Sequence, residues 1–255
     1  MEHSRERRAI LRLAFVDSLP VLMGYSTMGF VAGVLLAAKG DVTLGSFIGD
    51  SLQISATKAV ALNGSVEASG AGEMILLNGD ATPYAILLDG GSVKARSIAA
   101  KQGNVFICGN TGGIALEGAL EFGPSATLVS AAGISIKDKV QGGMLKASAT
   151  GDLILSGDAV VTDPGVWGVA GNAAPYAVAL EGGSVQAQAI TAEKGGIHLQ
   201  SLTSGITLEG VLNSGESITL LSAADIAALT KKSEEEVRAI IKKLEDDRNS
   251  STGNV

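Results

Sequence analysis

The chain has 255 residues, of which 34 are glycine, 4% aromatic and 18% charged, and its net charge is −7. Between Gly40 and Ala224 there are 16 acidic and 8 basic residues, so that region offers no basic surface to a phosphate backbone, which argues against nucleic acid as its partner. Cys108 is the single cysteine, which excludes an intrachain disulfide and a cysteine-based metal cluster, and no cofactor is indicated.

Residues 1–39 open with Arg5, Arg7, Arg8 and Arg12 and then turn apolar through "LPVLMGYSTMGFVAGVLLAA", Leu19 to Ala38. This uncharged run is about as long as a bilayer-spanning helix, and the basic cluster ahead of it predicts a cytoplasmic N-terminus with the rest translocated. A cleavable signal peptide fits less well, because Leu35 and Leu36 occupy positions where the cleavage site wants a small residue. A buried soluble helix is the third reading. Asp17, Pro20, the Gly24-Tyr25 pair, Gly29 and Gly33 make Phe15 to Ala37 similar to the first membrane segment of the AzlC family of branched-chain amino acid permeases. That resemblance implies a membrane segment, or a fragment of such a transporter. No later stretch reaches the ~18 consecutive apolar residues of a further span.

From Gly40 onward the sequence is repetitive. "PYAILLDGGSVKARSI" from Pro83 returns as "PYAVALEGGSVQAQAI" from Pro175, and the same offset of 92 residues pairs Gly103 with Gly195, "GGIALEGAL" with "SGITLEGVL" and Ser130 with Ser222. A gapless duplication of this size signals a repeat architecture. Within it, Val93, Ile114, Ile134 and Leu153 head alternating apolar triplets about 20 residues apart, and Val105, Ala126 and Leu145 head a second series. Each unit of roughly 20 residues therefore predicts two short strands joined by Gly-Gly, Gly-Asn, Ser-Gly and Asn-Gly turns. Such strands are too short to stand as isolated hairpins, whereas stacked coils share one core. The expectation is an all-β parallel solenoid over 40–224, of roughly nine coils at ~20 residues each. An antiparallel β-sandwich is the competing architecture; longer strands and more aromatics would be its mark.

"GSVQAQAITAEKGGIHLQSLTSGITLEGVLNSGESITLLSAA" is similar to the haemagglutinin-type repeats of filamentous haemagglutinin-like exoproteins. The resemblance implies a right-handed parallel β-helix serving as a secreted or surface stalk, without enzymatic activity. The long signal peptide and secretion domain of those proteins are not evident in this sequence.

Some β-helices cleave acidic polysaccharides with clustered carboxylates, so Asp152, Asp158, Asp163 and the Lys137-Asp138-Lys139 triplet are the candidates for catalysis. Their spacing reads as solvated turns. Glu117 and Glu209 recur between Leu and Gly, as an outward rung residue would. His198 stands where the first copy has Phe106 and is expected to point outward, without a partner for metal or triad work. Cys108 shares that outward parity and reads as an incidental small residue. The calcium-binding nonapeptide of some solenoids is missing. The candidate binding surface is aromatic: Tyr84 and Tyr176 in the repeated Pro-Tyr pair, and Trp167. A loop packed on its own coil is the plainer account of these residues.

Residues 225–248 change character. Ser233 precedes Glu236 as in a capping box, and Val237, Ile240, Ile241 and Leu244 fall on one helical face. With "SAADIAALTKK" the segment resembles the helix-turn-helix of winged-helix regulators through Ala227, Leu229, Ser233, Val237 and Leu244. Lys231 replaces the turn glycine, however, and three glutamates would repel phosphate. A helical cap on the solenoid is the expected role, and 249–255 is expected to be a disordered tail. The chain as a whole reads as a non-enzymatic stalk or adhesin of the cell envelope or exterior, held by an N-terminal helix and contacting a surface glycan or protein. A permease fragment and a DNA-binding regulator are the alternatives.

Overall fold

The computed structural model describes residues 21–23, 33–77, 80–165, 167–169 and 172–222. The expected C-terminal helix, the helix-turn-helix and the tail lie outside them, as does most of the N-terminal segment. Among the described residues there is no helix, and the strands stack as a parallel β-solenoid of about eight turns. That count corrects the nine expected from spacing. Strand alternation produces this shape because every second aliphatic turns inward, while the intervening polar residue faces water.

The coil is three-sided, a second correction to the expectation of two strands per unit. The first face stacks Val34–Ala38, Leu52–Ala56, Asp80–Gly90, Asn104–Gly109, Ser125–Ser130, Met144–Ala149, Asn172–Gly182, Gly196–Ser201 and Ile218–Ser222 in order. The second and third faces carry three-residue strands such as Ile114–Leu116 and Leu120–Phe122, and two longer strands, Ala59–Ala68 and Ser92–Ala100, serve both faces. Register is uninterrupted on the second face, where Val93, Ile114, Ile134, Leu153 and Val185 align directly. The 92-residue duplication is thus a translation by four coils. On the first face Leu52, Ile86, Val105, Ala126, Leu145, Val178 and Ile197 form one inward column, all fully buried. Burial of this depth stabilises by roughly 1.5–3 kcal/mol per large aliphatic.

The N-terminal boundary also differs from the expectation. Val34–Ala38 pairs in register with Leu52–Ala56, and Val21–Met23 pairs with Val42–Leu44. Leu36 and Ala38 pack against the core. Both strands fall inside the stretch expected to be one apolar helix, so the solenoid reaches at least to Val34 and not merely to Gly40. The physical reason is that an uncharged run of Val, Leu and Ala satisfies either period, and the exposed edge of Leu52–Ala56 supplies a template. No helix among the described residues is long and apolar enough to cross a membrane.

Two hairpins interrupt the regular coils, both at the corner between the third and first faces. Glu73–Leu77 runs antiparallel to residues 80–84, and Trp167–Val169 runs antiparallel to residues 172–176. Gly72, with φ of 92°, opens the first: any Cβ there would run into the Tyr84 backbone. Being four coils apart, the hairpins are separated by ~19 Å along the axis.

Candidate interaction surface

Each hairpin delivers its Pro-Tyr pair onto the outer side of the first face, and the neighbours of the two tyrosines differ at a few equivalent positions. In the first copy the half-exposed Tyr84 meets the half-exposed Phe106 edge-on, at a centroid distance of 5.8 Å and an angle of 65°. Asn104 braces this arrangement from below. Its amide donates to the Pro83 carbonyl at 2.8 Å, and its Oδ1 accepts from Ser125 Oγ at 2.8 Å.

The second copy has Gly196 where the first has Asn104, and the brace is gone. The Tyr176 ring settles into the freed space, so close that a Cβ on Gly196 would meet Tyr176 Cδ1 at 3.0 Å. Tyr176 is fully buried, lies 5.2 Å from the His198 ring, and its hydroxyl shares a 2.9 Å hydrogen bond with Thr219. Ser217, the counterpart of Ser125, has lost the acceptor that Asn104 provided, and its Oγ is buried without a partner.

These contacts sort the expected binding residues. Tyr84 remains available. Tyr176 does not, because a fully buried ring offers no face to a ligand, and the expectation for it is corrected. Trp167 pairs through its backbone with Tyr176. His198 keeps its outward parity but is 1% exposed rather than solvated, with Nε2 3.5 Å from Gln200 Oε1 and Nδ1 unpartnered. Phe106, which sequence reasoning passed over, belongs to the surface; its place opposite His198 in the duplication was the available signal.

The carboxylate candidates are not brought together. Asp152 accepts from Ser184 Oγ at 2.6 Å at the corner entering the second face. Asp158 precedes the third-face strand Ala159–Val161, and Asp163 follows it at the next corner. No three His, Cys, Asp or Glu side chains converge among the described residues. Cys108 donates to Asn110 Oδ1 at 3.1 Å, and burial first, then the charge of Asp89, push its thiol above the ordinary value. A protonated thiol is a poor nucleophile.

Charge is organised along the axis. Glu117 sits between Lys94 at 3.8 Å and Lys137 at 2.5 Å, and Glu121 between Lys101 at 3.1 Å and Lys139 at 2.6 Å. The hydrogen bond from Lys137 holds Glu117 below the usual carboxylate value, and those from Lys139 and Lys101 do so for Glu121. In the second copy the first ladder has lost its lysine partners, and the neutral Gln186 donates to Glu209 at 2.9 Å. A shallow depression of about 470 Å³ on the third face is floored by Ala99 between Glu67 and Glu121, with Lys101 on its lining.

No family model, curated protein or solved structure matches the chain. The likenesses to haemagglutinin-type repeats and to the AzlC segment therefore rest on the motifs alone, and the solenoid fold is what the coordinates support.

Proposed function

We propose that the chain is a non-enzymatic interaction module of the cell surface or exterior, in which the solenoid is a rigid stalk and the first hairpin presents a contact site. The observation that carries this reading is the half-exposed Tyr84–Phe106 pair, held by the Asn104 brace on a scaffold of continuous aliphatic columns. Two rings fixed edge to face present apolar area at little entropic cost, which suits a glycan or a protein loop. The motif likeness to surface exoproteins points the same way.

Membrane attachment through Leu19–Ala38 is the accompanying proposal, and it makes a structural demand. The ten residues between the strands Val21–Met23 and Val34–Ala38 are too few for a span of ~20 residues. Anchoring therefore requires those rungs to unpair. Alkaline carbonate extraction of the full-length protein tests it: retention in the pellet supports the anchor, and release supports the rungs.

The contact site is tested on glycan arrays and cell-surface binding assays. Tyr84→Ala combined with Phe106→Ala should weaken binding at least tenfold. Equal binding by this variant and the wild type would remove the site. Turnover of an acidic glycan that vanished with Asp158→Asn or Asp163→Asn would overturn the non-enzymatic reading.

A further inference from the structure

The outward column that holds Phe106 continues through Thr127 and Lys146 on the next two coils. Thr127 is the counterpart of Thr219 at the offset of the duplication. In the second copy the Thr219 hydroxyl is taken by Tyr176. In the first, Tyr84 stops at Phe106, and the Thr127 hydroxyl has no hydrogen-bond partner among the described residues. Lys146 is exposed, and it is the only lysine or arginine in the strands of the first face. Lys94, Lys101, Lys137 and Lys139 are each tied to a glutamate, whereas Lys146 forms no ion pair among the described residues. Glu181, on the following rung and two residues along, stands beyond salt-bridge distance of it.

An aromatic pair, a free hydroxyl and a free ammonium therefore follow one another along the axis, with about 9.5 Å from the Phe106 rung to the Lys146 rung. We infer that this row binds a β-linked acidic glycan lying along the solenoid axis, with a sugar ring on Tyr84 and Phe106, a hydroxyl on Thr127 and a sugar carboxylate at Lys146. The inference rests on the reading of the aromatic pair as a contact site and names the ligand class of that site.

The C–H face of a pyranose packs on aromatic rings, and each unit of an extended β-linked chain advances by about one rung of the sheet, so successive sugars meet successive coils. An extended peptide lacks that match, because its side chains on one face recur every ~6.6 Å against the ~4.8 Å of a rung. Asp89 fixes which end carries the acid. It lies on the coil before Phe106, where it accepts from Asn110 at 2.6 Å. Lys146 is three rungs away, about 14 Å, which exceeds the ~8 Å screening length at physiological salt. An anion is repelled at the aromatic end and attracted at the Lys146 end.

The test titrates the full-length protein, by calorimetry at physiological salt, with cellotetraose and with its uronate counterpart, which differs only in its ring carboxylates. The acid should bind about fivefold tighter, the scale of one exposed ion pair, although a net charge of −7 repels anions in general. Lys146→Gln should abolish the preference and leave the affinity for cellotetraose unchanged. Lys58→Gln, at another exposed lysine, should preserve the preference. Binding of neither tetramer, a preference that survives Lys146→Gln, or one lost equally with Lys58→Gln would overturn the inference. Equal binding of the two tetramers would overturn the acid assignment alone and leave the aromatic site standing. Tyr84→Ala with Phe106→Ala should weaken both tetramers alike; full affinity for both in that variant would overturn the aromatic site and this inference with it.

Discussion

The two copies of the duplication share a backbone and part company in what their hairpins do. The first keeps Tyr84 half-exposed above Phe106 and braces it with the Asn104 amide; the second buries Tyr176 and braces it through its own hydroxyl on Thr219. Two equivalent positions differ beneath the rings, Asn104 against Gly196 and Phe106 against His198. The Asn104 side chain supports the hairpin from beneath, and Gly196 leaves room for the ring to drop onto the sheet. Duplicated sequence therefore does not imply a duplicated surface: one copy leaves its aromatic pair partly exposed, and the other buries its tyrosine.

Position along the stack gives the largest contrast. Ile114 is 2% exposed, while Ile206, its counterpart, is half-buried in the last described coil. Ile114→Asp should cost about 4 kcal/mol, because it puts a charge into a closed aliphatic column, and Ile206→Asp should cost much less. Urea denaturation of the two variants measures the gap, and equal losses would mean that the last described coil is closed as fully as the middle.

The tyrosines come next. Tyr176→Ala should destabilise by about 3 kcal/mol, as removal of a fully buried ring does, and Tyr84→Ala by about 1 kcal/mol. Both values follow from denaturation midpoints at a common slope. Should Tyr84 prove the costlier, the assignment of buried and available copies would be reversed.

Gly196→Asn introduces the first copy's brace beneath a ring that already occupies its place. It should cost about 2 kcal/mol and shift the emission of Trp167, the only tryptophan. Asn104→Gly should have the smaller effect and should move Tyr84 toward burial, read as reduced quenching of its fluorescence.

The charge ladders give the smallest effect. Glu121 is held below its usual value of 4.5 in the folded chain. Its contribution is therefore complete above that value and lost as pH falls through the lower folded value. Glu121→Gln should flatten the decline in stability between about pH 5 and 3 by under ~1 kcal/mol, and salt should shrink the difference. Glu209→Gln, whose partner is the neutral Gln186, should not respond to salt.

Much of the scaffold was readable from spacing, because inward aliphatics and glycine turns leave a period of about 20 in the residues themselves. The third face was missed for a physical reason. Its strands are three residues long and end in Gly142 or Ser214 as often as in an aliphatic, so they carry little alternation. The N-terminal rung escaped notice because a fully apolar run has no period to read. Tyr176's burial depends on a residue one coil later, Gly196, and no local window contains both. The duplication did contain the clue, since aligning the copies sets Asn104 opposite Gly196 and Phe106 opposite His198.

The whole-coil length of the duplication has a further consequence for how such a molecule can change size. Deleting a single residue would flip the facing of every side chain up to the next turn. Removing the 92 residues between equivalent points would instead rejoin strand to strand, with each column intact and the rod shorter by about 19 Å. Insertions of the same length would extend it by the same step. Length in this architecture is inherited in units, and a lineage can lengthen or shorten its reach without refolding any part of what it keeps.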